Sequence, residues 1–175
     1  LSKGLLTVQS DPAKKANYVI RISKGAVSDD YIPDTNNSYP LTAGNGNYKV
    51  TIGELVEGKK YKVVAAEDIT LKMKDDRLVF LQSTNLINWN DKTRAVIKAR
   101  ELTKNAKNDQ EKLAFIYRYV VNNLKYDNAK AQIVKQRYTP NLDTVFAANT
   151  GICYDYATMT AAMLRSVGIP TKLVM

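Results

Sequence analysis

Polar and apolar residues alternate along the first half of this chain, and apolar residues recur every three or four positions along the second. Alternation marks a strand with one buried face. It runs through Tyr18-Val-Ile-Arg-Ile22, Tyr48-Lys-Val-Thr-Ile52, Tyr61-Lys-Val-Val-Ala65 and Ile69-Thr-Leu-Lys-Met73, and a shorter apolar run follows at Leu78-Val-Phe-Leu81. Asn45-Gly46, Glu57-Gly58 and Asp75-Asp76 separate these runs with residues that tolerate tight or positive-φ backbone. The pattern predicts a small antiparallel sheet or sandwich, with residues 28–40, rich in Asp, Asn, Ser and Pro, as a long loop.

After Trp89 the period becomes helical. Residues 91–104 predict a first helix, with Ala95, Val96, Ala99 and Leu102 as its apolar stripe. Asn108, followed three residues on by Glu111, predicts an N-cap with a capping-box partner, and the next helix should bury Leu113, Ile116, Tyr117, Val120, Val121 and Leu124. A polar loop with a short helical tendency fills 125–149. Residues 154–167 are apolar nearly all round, which predicts a buried helix ended by Gly168 and Pro170. Thr171-Lys-Leu-Val-Met175 then reads as the start of a strand whose partners would lie further downstream. Such an unfinished sheet edge could pair two copies into a homodimer.

At 175 residues, 45% hydrophobic and 25% charged, the chain can bury a real core and is neither disordered nor coiled-coil in composition. No apolar run approaches the ~20 residues of a membrane helix, so membrane insertion is not expected. A formal charge of +9 attracts anionic partners in general. The lysines are spread out, in short pairs such as Lys14-Lys15 and Lys59-Lys60, and no nucleic-acid recognition motif accompanies them, so nucleic acid is not an expected partner. The one cysteine excludes an internal disulfide framework and a cysteine-rich zinc site. The absence of histidine removes the commonest metal ligand and general base together. No metal or organic cofactor is implied.

That cysteine, Cys153, follows Gly151-Ile152 at the first turn of the buried helix. Unsatisfied N–H groups and the positive end of the helix dipole favour a thiolate there, and the same N–H groups can bind the oxyanion of a tetrahedral intermediate. Gly151 would let a substrate backbone approach closely. On position alone, a small apolar residue on a buried helix is the commoner role for a free cysteine.

The residues around it weigh the other way. Asn149-Thr-Gly-Ile-Cys-Tyr-Asp-Tyr-Ala157 and Met163-Leu-Arg-Ser-Val-Gly-Ile-Pro-Thr-Lys-Leu-Val174 resemble the transglutaminase-like core family, whose nucleophile motif is Gly-x-Cys-x-x-x-Ala followed by a helix ending Leu-Arg-x-x-Gly-Ile-Pro. The resemblance reaches back through Ile116-Tyr-Arg-Tyr-Val-Val-Asn-Asn-Leu-Lys-Tyr-Asp127 and Tyr138-Thr-Pro-Asn-Leu-Asp143. More distantly, Tyr39-Pro-Leu-Thr-Ala-Gly-Asn-Gly-Asn-Tyr-Lys-Val50 resembles the β-rich N-terminal part of secreted clostridial-type members. The resemblance implies a papain-like cysteine site with Cys153 as nucleophile, acting on a protein or peptide amide, cell-wall peptide included, at an extracellular or cell-surface location. The family's histidine and aspartate lie on strands beyond this helix and map to no residue here, so no activity is expected of these residues alone.

Other polar residues carry weaker signals. Tyr138, in a matched segment, is a candidate for assisting the oxyanion hole, although a packed ring with a satisfied hydroxyl is commoner. Asp143 and Asp155 read as caps and helix-start charges rather than a catalytic pair. Trp89 should pin the sheet to the helices. The expected fold class is α+β: a β-rich module over 1–88, then the Cys-bearing helical half of a papain-like, transglutaminase-like domain over 89–175. A non-catalytic cell-surface binding module on the same fold is the alternative, supported by the missing histidine.

Overall fold

The computed structural model describes residues 1–9, 17–33, 36–58, 60–134 and 138–174. Lys14, Lys15, Lys59, Met175 and two residues of the 28–40 segment, 34 and 35, lie outside that set. The fold is α+β, in two units that divide between Val79 and Phe80.

In the first unit, β2 (Tyr18–Lys24), β3 (Val27–Tyr31), β5 (Gly46–Glu57) and β6 (Lys60–Leu71) form an antiparallel sheet in the order β3-β2-β5-β6. The short strands β1 (Leu5–Thr7) and β4 (Ser38–Pro40) pair separately. Alternation works as expected in the middle of the sheet, where Ile20, Ile22, Tyr48 and Val50 are buried. Arg21, between the two isoleucines, faces solvent and pairs bidentately with Asp30 directly across on β3.

Three expectations change in this unit. The 28–40 segment contributes most of β3 and all of β4 rather than an unbroken loop, and the Arg21–Asp30 pair compensates for the poor strand propensity of Asp29-Asp30. The run at 61–65 and the first three residues of that at 69–73 join into the single strand β6. Its polar middle, Glu67-Asp68, is held by the ladder to β5, with Asp68 opposite Lys49. Residues 78–81 belong to a 3₁₀ helix, Asp76–Leu81, because Asp75 accepts the Arg77 and Leu78 N–H groups through side chain and carbonyl and turns the chain.

The second unit is helical: α1 (Arg94–Thr103), α2 (Asp109–Asn123), α3 (Asn128–Ile133), α4 (Leu142–Ala148) and α5 (Cys153–Ser166), with one parallel two-residue pair, β7 (Lys125–Tyr126) on β8 (Thr150–Gly151). None of the described helices is long and apolar enough to cross a membrane. Helix α5 packs against α1, α2 and α4, and its Met159, Ala162 and Met163 are wholly buried. Leu86, Ile87 and Trp89 pack into this same core, so the helical unit begins before the change of period at Trp89.

Asn108 caps α2 as expected by accepting the Glu111 N–H, while Glu111 reaches back to the Lys107 N–H, one residue beyond the box position. Only part of the predicted α2 face is covered. Ile116, Val120 and Leu124 are buried, whereas Leu113, Tyr117 and Val121 are 47%, 61% and 51% exposed, because the apolar stripe is wider than the strip that meets α1 and α5.

Gly168, at φ 88°, ends α5 as a Schellman cap: Ile169 N–H bonds the Leu164 carbonyl and Gly168 N–H that of Arg165. Arg165 is 7% exposed. Its guanidinium donates to the carbonyls of Gln82 and Thr171, and burial pulls its pKa down to about 10, still well above neutrality. Residues 171–174 are not a strand. In place of a ladder, Thr171 donates its N–H to Phe80 O at 2.9 Å and accepts the Arg165 guanidinium on its carbonyl, so the sheet edge expected to pair two copies is not formed by them.

Candidate functional site

The site is built from the turn before α5. Helix α4 ends at Asn149, held in the left-handed region at φ 51°, a conformation asparagine tolerates better than most residues. The chain then runs as β8 beside β7. Lys125 N–H donates to Asn149 O and Asp127 N–H to Gly151 O, so both sides of β8 are tied to the segment that opens α3. Asp127 caps α3 by accepting the Lys130 N–H. The two residues of β7 thus bring the start of α3 beside the start of α5.

Cys153 is the first residue of α5 and is exposed, although most of the helix is not. Two residues on, Asp155 is 0% exposed, and among the described residues three donors converge on its carboxylate: Ile152 N–H at 2.8 Å and Lys130 Nζ at 2.6 Å on Oδ2, and the Tyr138 hydroxyl at 2.7 Å on Oδ1. Lys130 Nζ also donates to the Tyr138 oxygen at 2.7 Å and lies over the Tyr138 ring, 4.4 Å from its centroid. Tyr138 packs edge-on against Tyr154. A buried carboxylate with this many donors is satisfied, and its position at the third residue of α5 suits the helix dipole.

Burial works against the charge of Lys130, but its hydrogen bonds to Asp155 and Tyr138 outweigh that and hold its pKa above the usual lysine value. Burial raises the Tyr138 phenol, and the neighbouring Asp155 adds to the rise while Lys130 opposes it. At neutral pH Lys130 is therefore an ammonium and Tyr138 a neutral phenol.

Gly151 also has a role inside the fold. A Cβ placed there would stand 2.7 Å from Asp155 Cβ and 3.0 Å from its Oδ2. The missing side chain makes room for Asp155. This is the physical content of a glycine two residues before the cysteine.

Of the residues singled out from sequence, Cys153 stands at the helix start as expected and Asp155 acts as a cap, though a far more elaborate one than a solvated helix-start charge. Tyr138 does come to this site, but the hydrogen of its hydroxyl is committed to Asp155, which leaves none to donate to an oxyanion. Asp143 lies elsewhere and accepts the Arg94 N–H, tying α4 to the start of α1. Trp89 packs into the helical core, its backbone N–H on Ser83 Oγ. Lys130 was not foreseen. It lies in a polar stretch 25 residues from its acid, and only the Asp127–Lys130 cap spacing carried a local signal.

Among the described residues no group of three or more His, Cys, Asp and Glu side chains could hold a metal ion. Two cavities, of about 240 and 530 Å³, are lined by residues of the β-rich unit, the first by Val8, Tyr18, Ile20 and Ile52 and the second by Lys24, Asn47, Tyr48 and Asp68. Neither includes Cys153. The site is an open helix end with its acid, base and phenol already engaged with one another.

No curated protein matches the chain. Among solved structures, it is similar to the crystal structure of a putative protease from Parabacteroides distasonis, at 17% identity and a TM-score of 0.42, over 89% of this chain and 30% of that one. The chain thus spans less than a third of that protein's length. A family model, that of the transglutaminase-like superfamily, matches residues 98–175, beginning inside α1 and taking in α2 to α5 with Cys153 and the Asp155 cluster. The likeness to the transglutaminase-like superfamily thus covers residues 98–175, which lie in the helical unit.

Proposed function

We propose that this chain carries the nucleophile-bearing part of a cysteine enzyme that acts on protein or peptide amides by acyl transfer. The observation that supports it best is Cys153 itself, an exposed thiol at the first position of a largely buried helix, within the segment matched to the family. In the reaction Cys153 Sγ adds to a carboxamide carbonyl, and the C–N bond breaks as the nitrogen takes a proton and leaves as ammonia or an amine. Water or an amine then resolves the thioester, giving hydrolysis or cross-linking. The N–H groups of the first turn of α5 face the developing oxyanion.

The 175 residues contain no histidine, and Lys130, Tyr138 and Asp155 are committed to one another. A base for this reaction therefore comes from outside them, and these residues by themselves turn over no amide, since members of a catalytic set act as a unit. The missing base also favours a second reading, a binding module that keeps the fold without the chemistry.

The rate of Cys153 alkylation by iodoacetamide as a function of pH separates the two. A poised thiol reacts with a midpoint clearly below the reference thiol value of about 8.5. A slow profile that rises only above that value supports the binding module and ends the nucleophile assignment.

A further inference from the structure

Asp155 is held by more than a cap requires. Capping needs one contact, that between Asp155 Oδ2 and the Ile152 N–H. Lys130 and Tyr138 add two further donors from outside α5, and Gly151 gives up its side chain so that the carboxylate can sit there. The helix start gains from an acid at this position, but a thiolate two residues away is opposed by it. An ammonium within hydrogen-bonding distance of the carboxylate removes that conflict.

We propose that Lys130 and Tyr138 are positioning residues for Cys153, acting through Asp155: they let an acid fasten the first turn of α5 while cancelling the charge that would otherwise oppose a thiolate at the same helix end. This deepens the acyl-transfer reading and rests on it for its catalytic meaning. Among the described residues, the titratable and charged groups around this turn are Lys130 and Asp127 at the start of α3, Lys125 and Tyr126 of β7, Tyr138 ahead of α4, and Tyr154 and Asp155 of α5 itself. Of these, Lys130 combines a positive charge with a direct bond to Asp155.

The test is the pH profile of Cys153 alkylation by iodoacetamide in the full chain, with circular dichroism confirming the fold of each variant. In Lys130→Met the midpoint rises by roughly one pH unit, the effect of a nearby carboxylate left without its counter-charge. Lys130→Arg returns it to the wild-type value, and Tyr138→Phe moves it upward by less. A folded Lys130→Met protein with an unmoved midpoint overturns the proposal.

If Lys130→Met does not fold, the neutral pair Lys130→Met with Asp155→Asn decides. A midpoint at or below wild type supports the proposal, and one raised above wild type overturns it. The outcome is separate from that of the nucleophile assignment. A wild-type thiol with an ordinary midpoint defeats that assignment whatever the variants do, whereas an unmoved Lys130→Met midpoint beside a low wild-type one defeats only the role of Lys130.

Discussion

Each end of α5 buries a charge, and the two ends hold it in opposite ways. At the start, Asp155 is clasped by an ammonium, a phenol and one backbone N–H. Toward the end, Arg165 donates to the backbone carbonyls of Gln82 and Thr171. Both signs suit the helix dipole, acid at the N-terminus and base at the C-terminus. Carbonyl groups do not titrate, so the Arg165 end is a fixed fastening. The Asp155 end is built from side chains that gain and lose protons and stands two residues from an exposed thiol. A helix locked at one end and electrostatically adjustable at the other is suited to presenting a reactive group from a rigid core.

The largest expected effect comes from removing the counter-charge at the adjustable end. Lys130→Met leaves the fully buried Asp155 without its ion pair and should cost about 3–5 kcal/mol of stability, measured by urea unfolding of the full chain. The loss should also depend on pH with a definite sign. Because the folded protein raises the pKa of Lys130, its contribution is fully present below the unfolded lysine value of about 10.4 and fades as pH rises through the folded value. The stability gap between wild type and Lys130→Met is therefore constant from pH 6 to 9 and narrows above pH 10. A gap that closes near pH 7 would contradict the pairing.

At the fixed end, Arg165→Met keeps most of the apolar stem but removes three charge-assisted bonds to carbonyl oxygens. A loss of about 2–3 kcal/mol is expected, by the same unfolding measurement. Unlike the Lys130 effect, it should leave the alkylation midpoint of Cys153 unmoved, since Arg165 lies twelve positions along the chain from the thiol. A shifted midpoint would mean that the ends of α5 are not independent. Next in size, Gly151→Ala places a Cβ against Asp155 and should cost about 1–3 kcal/mol, the range for overpacking a tight site.

The sequence carried this contrast unevenly. The Gly-x-Cys spacing, Asp155 and the ending Leu-Arg-x-x-Gly-Ile-Pro could all be read from it, because each belongs to one helix and its caps, where chemistry and spacing are local. The periodicity of α1, α2 and α5 was equally plain. Partnership across the chain was not: Lys130 meets Asp155 where β7 and β8 pair, and two-residue strands leave no pattern to count. In the sheet, the alternation of β2 and β5 was legible, while β6 looked like two strands because Glu67 and Asp68 resemble a break until β5 is set beside them. The wide apolar stripe of α2 predicted burial for Leu113, Tyr117 and Val121, and periodicity has no way to tell how much of a stripe its neighbours cover.

The smallest of these effects tests most finely how the adjustable end is organised. Tyr138→Phe keeps the ring against Tyr154 and under Lys130 but removes the hydroxyl, so Asp155 Oδ1 loses its donor while Oδ2 keeps both of its own. The loss should be about 1 kcal/mol, that of one hydrogen bond whose acceptor retains other partners. If Lys130, Tyr138 and Asp155 act as one network, the double variant Lys130→Met with Tyr138→Phe should depart from the sum of the single changes by more than about 0.5 kcal/mol. Additivity would mean that Tyr138 merely packs beside an independent Lys130–Asp155 pair, since the phenol oxygen that joins lysine to acid would then transmit nothing between them.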